Sequence, residues 1–141
     1  FFLPKIDTIR VRKEEMGMVW YVYAIQHDVT KRVYVGCAHN IHFRYLSHLR
    51  ELKGHRHKSQ RMQEDFDKYG ACYTITKLDE AKDGWERING RPYAYRTLKE
   101  LGWMMRLNSI EEVYNSQDRT AKRTISAHFV NFEDYIGEVQ L

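Results

Sequence analysis

The sequence predicts one domain of the α/β (α+β) class, and three observations carry that reading. Val19-Trp20-Tyr21-Val22-Tyr23-Ala24-Ile25 and Arg32-Val33-Tyr34-Val35-Gly36 are β-branched and aromatic runs that read as strands. Two helical patterns with capping residues follow them directly. A further strand run and a further helical run come later in the chain. With 141 residues, 43% apolar and 30% charged, the chain is long enough for one core and too apolar for wholesale disorder.

The elements read as follows. Polar Gln26-His27-Asp28-Val29-Thr30-Lys31 is a turn that joins the first two strands into a hairpin. Asn40 is the N-cap of a helix over 41–53, with Ile41, Tyr45, Leu49 and Leu52 as its apolar stripe and Gly54 beyond its end. Ser59 caps a second helix over 60–69, with Met62, Phe66 and Tyr69 on its buried face and Gly70 as its stop. Cys72 to Leu78 reads as a third strand, and polar Asp79 to Gly90 as a loop. A third helix over 93–107 follows Pro92, with Ala94, Leu98, Leu101 and Met105 on one face. Residues 1–18 form an expected N-terminal arm, 19–115 the domain, and 116–141 a C-terminal extension without an assigned element. The arm carries a basic cluster, Arg10-Val11-Arg12-Lys13, which fits either a solvated segment or contact with a nucleic-acid backbone.

Composition narrows the function classes. No run approaches the roughly 20 apolar residues of a membrane helix. Phe1-Phe2-Leu3 is too short for a signal-peptide core, and the missing initiator methionine suggests leading sequence beyond Phe1. Cys37 and Cys72 cannot build a disulfide framework or a four-thiolate zinc site, so a reducing, cytoplasmic setting is expected. The net charge of +4 is compatible with a nucleic-acid partner.

The chemistry-bearing residues are few. Tyr23 and Tyr34 stand one on each strand of the hairpin. Arg44 and His48, at i and i+4, share the helix face beside the apolar stripe. A cation, an imidazole and two phenols can hold a phosphate and move protons, although the spacing also fits an ordinary surface pair. Glu100 has Trp103, Met104 and Leu107 at i+3, i+4 and i+7, so its carboxylate is expected to be partly buried. A buried carboxylate needs a cation, and either a divalent metal or a salt bridge to Arg44 supplies one. Arg50, Lys53, His55, Arg56, Lys58 and Arg61 make a basic stretch that reads as solvated charge or as phosphate contacts. His39, His42 and His55 read as surface residues, and His55-Arg56-His57 is a weak zinc signal without thiolates behind it.

Tyr21-Val22-Tyr23, ten residues, then Tyr34-Val35-Gly36 resembles the signature of the GIY-YIG nuclease family. The resemblance continues through Asn40 and Arg44, four and eight residues past Gly36, and through His48, Gly54 and His57-Lys58-Ser59. It extends over Met62 to Gly70, Glu100-Leu101-Gly102-Trp103 and Tyr114-Asn115. It is closest to the catalytic domains of phage intron-encoded homing endonucleases. Tyr21 replaces the usual glycine and Cys37 the usual serine, and Gly84 to Gly90 looks like an insertion. That insertion makes Glu86 the second candidate for the family's glutamate. Tyr135-Ile136-Gly137 is a decoy, since no Asn and Arg follow it at the required spacing.

The resemblance implies a small central antiparallel three-stranded sheet flanked by helices. It implies a divalent-metal-dependent DNA endonuclease using Mg²⁺ or Mn²⁺. Tyr23 would be the general base or water-positioning group, with Tyr34 hydrogen-bonded into the site. Arg44 would face the phosphate oxygens, His48 would relay a proton, and His57 would lie near the substrate. Glu100 would hold the metal, and Asn115 would orient groups around metal or phosphate. Homing, phage and restriction-type roles all remain open, in a bacterial host cell. One site per chain implies nicking, or a homo-oligomer for double-strand cleavage. The competing reading is a catalytically silent module of the same fold that binds nucleic acid or a protein partner.

Overall fold

The computed structural model describes residues 19–88, 90–108 and 113–117. The expected arm with Arg10 to Lys13, the Tyr135-Ile136-Gly137 decoy, and all but the first two residues of the extension lie outside them. Strand β1 (Val19–His27) runs between β2 (Val33–Ala38) and β3 (Tyr73–Lys82), antiparallel to both. Helices α1 (Ile41–Lys53) and α2 (Gln60–Tyr69) join β2 to β3, and a hairpin of β4 (Trp85–Ile88) and β5 (Arg91–Ala94) leads into α3 (Tyr95–Asn108). A single 3-10 turn (Tyr114–Gln117) closes the described chain. This is the small three-stranded antiparallel sheet with flanking helices that the resemblance implied.

The period-two alternation of β1 and β2 sorts their side chains between two layers. Val22, Ala24, Val33 and Val35 pack on Leu98, Leu101, Trp103, Met104 and Leu107 of α3. Tyr21, Tyr23, Ile25, Tyr34 and Ala38 face the other way, onto Ile41 and Leu52 of α1, Met62 of α2, and Tyr114. Helices cover both faces of β1, which explains why it reads as a continuous apolar run. Asn40 and Ser59 cap α1 and α2 through their side chains, as their positions predict. Tyr69, expected on the buried face of α2, is instead exposed at the helix end.

Three boundaries differ from the sequence reading, each for a physical reason. His27 belongs to β1 and is fully buried, where its Nδ1 accepts the Val29 and Thr30 amides and so closes the turn from inside. Residues 79–90 are not a loop: β3 continues to Lys82, and β4 and β5 follow. Polar Asp79 is tolerated in β3 because Lys99 Nζ and Trp103 Nε1 of α3 donate to its carboxylate at 2.9 and 3.1 Å. Ala94 ends β5, so α3 starts two residues later than its periodicity suggests. The β1–β3 register shifts between Val22 and Tyr23, where Leu78 is the extra residue of a bulge. A bulge re-aims neighbouring side chains, and this one sits beside Tyr23.

A polar latch ties the last described segment to the fold. Asp65, buried on α2, accepts from Tyr114 Oη at 2.6 Å, Arg32 Nη1 at 2.8 Å and Thr30 Oγ1 at 3.1 Å. Burial opposes its ionisation, but these donors and the Arg32 charge hold its carboxyl below the usual carboxylate range. A depressed native pKa adds stability that is present above the unfolded value, about 3.9 for Asp, and is lost as pH falls through the native one. Tyr114→Phe is therefore expected to cost about 1–3 kcal/mol at neutral pH, and less under acid. Urea denaturation at both pH values checks this, and a loss that does not shrink on acidification would contradict it.

Candidate active site

The site is built where a side chain crosses an edge strand. Tyr23 is opposite Gly36 in the β1–β2 register, and β2 is the outer strand. A Cβ at Gly36 would stand 2.4 Å from Tyr23 Oη and 2.6 Å from its Cζ. Glycine is thus required by space: its bare backbone lets the Tyr23 ring lie over β2 and bring its hydroxyl to the strand's outer edge. Buried Tyr34 projects to the same face two residues earlier.

Helix α1 adds Arg44 and His48 one turn apart, on the face turned to the sheet. His48 is fully buried, with Nε2 2.8 Å from Tyr23 Oη and its ring edge-on to Tyr34 at 4.7 Å between centroids. His48 Nδ1 lies 2.8 Å from Nε2 of buried His57, and the Ser59 amide donates to His57 Nδ1 at 3.0 Å. Half-buried Arg44 reaches Tyr23 and also lies 3.5 Å from Glu51. Exposed Lys58 brings its Nζ to 5.6 Å from the Tyr34 ring centroid, and its charge favours the ionised form of that phenol.

Glu100 comes from the opposite layer. It is half-buried on α3 beside Cys37, and its charge acts on Tyr23, Tyr34 and Lys58. A residue of the α3 layer can meet tyrosines of the α1 layer only around the edge of the sheet. The β2 edge is where that happens. Glu86, the second candidate, is exposed on β4.

Burial sets the protonation states. It pushes the Tyr23 phenol well above its ordinary value, with Tyr34 and Glu100 adding to the rise and Arg44 opposing it. Tyr34 is raised for the same first reason, against Lys58. His48 is pushed down to about 3 by burial, then by the charges of Arg44, His57 and Lys58. It is neutral at any physiological pH, and stability is lost as pH falls from about 6.5 towards that value, because only the unfolded chain takes the proton.

Asn115 is buried, but it does not face the phenols with a free amide. Its Oδ1 accepts the Val35 amide at 2.8 Å and its Nδ2 donates to the Val35 carbonyl at 2.7 Å. It acts as a two-point clamp on the β2 edge, one residue from Tyr34. Lys58, grouped by sequence with the basic stretch, belongs to the tyrosine cluster; its place next to His57 in the chain was the available signal. Arg50, Lys53, His55 and Arg56 remain exposed around the end of α1 and the connection after it, and Arg61 is half-buried at the start of α2. His42 is exposed as expected, whereas His39 is held by the Val19 carbonyl at 2.7 Å and stacks on Trp20.

Known proteins resemble this chain. Residues 19–89 match the GIY-YIG catalytic domain. The chain belongs to the GIY-YIG family. It is 29% identical over 109 residues to intron-associated endonuclease 1 of Enterobacteria phage T4, covering 76% of this chain and 40% of that protein. The chain thus spans about two fifths of the length of this curated relative. The catalytic domain of intron endonuclease I-TevI, solved as a mutant with one glutamate changed to alanine, superposes with a TM-score of 0.56 and 25% identity. That likeness covers 72% of this chain and 96% of the I-TevI domain. Among the described residues, no helix is long and apolar enough to cross a membrane.

Gly36→Ala tests the crossing. It is expected to cost about 1–3 kcal/mol, the usual range for overpacking. In the Tyr23→Ala background the same substitution is expected to cost much less, because the colliding ring is gone. Chemical denaturation of the four proteins measures the coupling, and additive losses would contradict the account.

Proposed function

We propose that this chain is a divalent-metal-dependent endonuclease that hydrolyses DNA phosphodiester bonds at this single site. One arrangement carries the reading: Tyr23, Tyr34, Arg44, Lys58 and Glu100, from five separate segments, stand near enough beside β2 for their charges to act on one another. Two cations and two phenols beside one carboxylate suit a phosphate better than a neutral substrate.

Two groups could hold the ion. His48, Glu51 and His57 offer ligand atoms within 4.8 Å of one another. Their nitrogens are already engaged: His48 Nδ1 meets His57 Nε2, and His57 Nδ1 takes the Ser59 amide. A metal on His57 Nε2 would force a proton onto Nδ1, against that amide. Glu100 fits better, since a hard carboxylate oxygen at an open edge suits Mg²⁺ or Mn²⁺, ions that keep several of their waters. When bound there, the ion supplies positive charge to the phosphate and a more acidic water.

The protein's own groups do the rest. Arg44 and Lys58 donate to the non-bridging phosphate oxygens, where charge grows in the transition state. Tyr23, with the Arg44 charge beside it, positions the attacking water, and its oxygen takes that water's proton only once the phenol has given up its own. Tyr34, with the Lys58 ammonium beside its ring, extends the donor array. The exposed Arg50, Lys53, His55 and Arg56, with Arg61, contact the DNA backbone beyond the scissile bond, which contributes affinity without sequence information. One such site breaks one strand, so a monomer nicks and double-strand cleavage requires a homo-oligomer.

Incubation of supercoiled plasmid with Mg²⁺ or Mn²⁺ is expected to give nicked circles. Glu100→Ala and Arg44→Ala should each lower the rate by at least about a hundredfold, the loss typical of a transition-state donor. Glu86→Ala should cut normally. Plasmid left intact by the native sequence with both metals would favour the silent binding module. Normal cutting by Glu100→Ala would move the metal ligand elsewhere.

A further inference from the structure

We propose that His57 and His48 form a one-way donor relay, anchored on the Ser59 amide, in which His48 gives a hydrogen bond to the Tyr23 oxygen and does not take its proton. The direction follows from donors that have no choice. A backbone N–H can only donate, so the His57 Nδ1 facing the Ser59 amide at 3.0 Å is bare. A neutral imidazole with a bare Nδ1 carries its hydrogen on Nε2. A second observation agrees: Glu51 Oε2, an acceptor, lies 3.9 Å from that same Nε2.

The next link inherits the direction. His57 Nε2–H points at His48 Nδ1 over 2.8 Å, so His48 Nδ1 accepts. His48 therefore carries its own hydrogen on Nε2, which faces Tyr23 Oη at 2.8 Å. Both rings are buried, and His48 has Arg44, Lys58 and His57 as its charged or titratable neighbours, which disfavours a second proton on it. The Tyr23 oxygen thus accepts from His48, with the Arg44 charge acting on it, and its own hydrogen points away from His48. A proton leaving Tyr23 does not go to His48, because His48 Nε2 already holds one. Ser59, a helix cap by its side chain, is through its amide the residue that sets this order, and His48 and His57 are positioning residues acting through Tyr23.

The consequence for catalysis rests on the nuclease reading, but the principal test does not. Long-range ¹H–¹⁵N correlation spectra of the labelled protein at neutral pH report which ring nitrogen carries hydrogen. Loss of signals in His48→Gln and His57→Gln assigns the two rings. Expected are a protonated Nε2 and a bare Nδ1 on both. A hydrogen on Nδ1 of His48 would overturn the relay whether or not the protein cuts DNA.

A second measurement compares two substitutions of nearly equal shape. His57→Gln can still donate to His48 Nδ1, whereas ionised His57→Glu can only accept and would turn His48 round to face Tyr23 with a bare Nε2. Assayed at mildly alkaline pH, His57→Glu is expected to nick plasmid at least tenfold more slowly than His57→Gln. Equal or faster nicking by His57→Glu would show that His48 works as an acceptor, and would overturn the proposal while leaving the nuclease reading intact.

Discussion

The bare backbone at Gly36 is the constraint on which the site depends. Tyr23 starts on the central strand, where its ring would ordinarily sit under α1 as core packing. Without a Cβ opposite it, the ring lies across the edge strand and delivers its hydroxyl to the border of the sheet. There it meets groups from both layers, which the sheet otherwise separates. The bulge beside Tyr23 and the Asn115 clamp on Val35 fix the two strands at this crossing. The remaining parts are arranged around a hydroxyl already in place.

The same arrangement divides labour between burial and exposure. The inner half, with His48, His57 and most of Tyr23, is dry and held by hydrogen bonds whose donors and acceptors are matched. The outer half, with Arg44, Lys58 and Glu100, is partly wet and charged. Dry neighbours keep the tyrosines neutral when no ligand is present. Charged neighbours at the rim offer the field that a phosphate and a cation would complete. The Asp65 latch lies apart from this, holding the last described segment against α2 and the β1–β2 turn.

Much of this was legible in the sequence because local signals and tertiary packing agree. Asn40 and Ser59 are caps in the fold as in the pattern, and the strand alternation of β1 and β2 sorts the two cores. Residues 79–90 read as a loop because polar Asp79 is satisfied by tertiary partners, Lys99 and Trp103, which no window around it contains. Asn89-Gly90 between Ile88 and Arg91 was a hairpin-turn signal that the polar composition obscured. Gly90 indeed takes a φ of 80°. At the site, the motif residues were visible from their spacing, but their geometry was not. No spacing places Glu100 around the edge of the sheet, turns the Asn115 amide onto Val35, or brings Lys58 to Tyr34. The burial of His27 was equally hidden, since a histidine in a polar run gives no sign that it closes a turn from within.

Anomalous diffraction from crystals soaked in Mn²⁺ tests the central claim most directly, because it locates the ion independently of activity. The account predicts one strong peak in direct contact with a Glu100 carboxylate oxygen, at the β2 edge beside Tyr23 and Tyr34. A peak seated instead between His48, Glu51 and His57, with Glu100 bare, would contradict it.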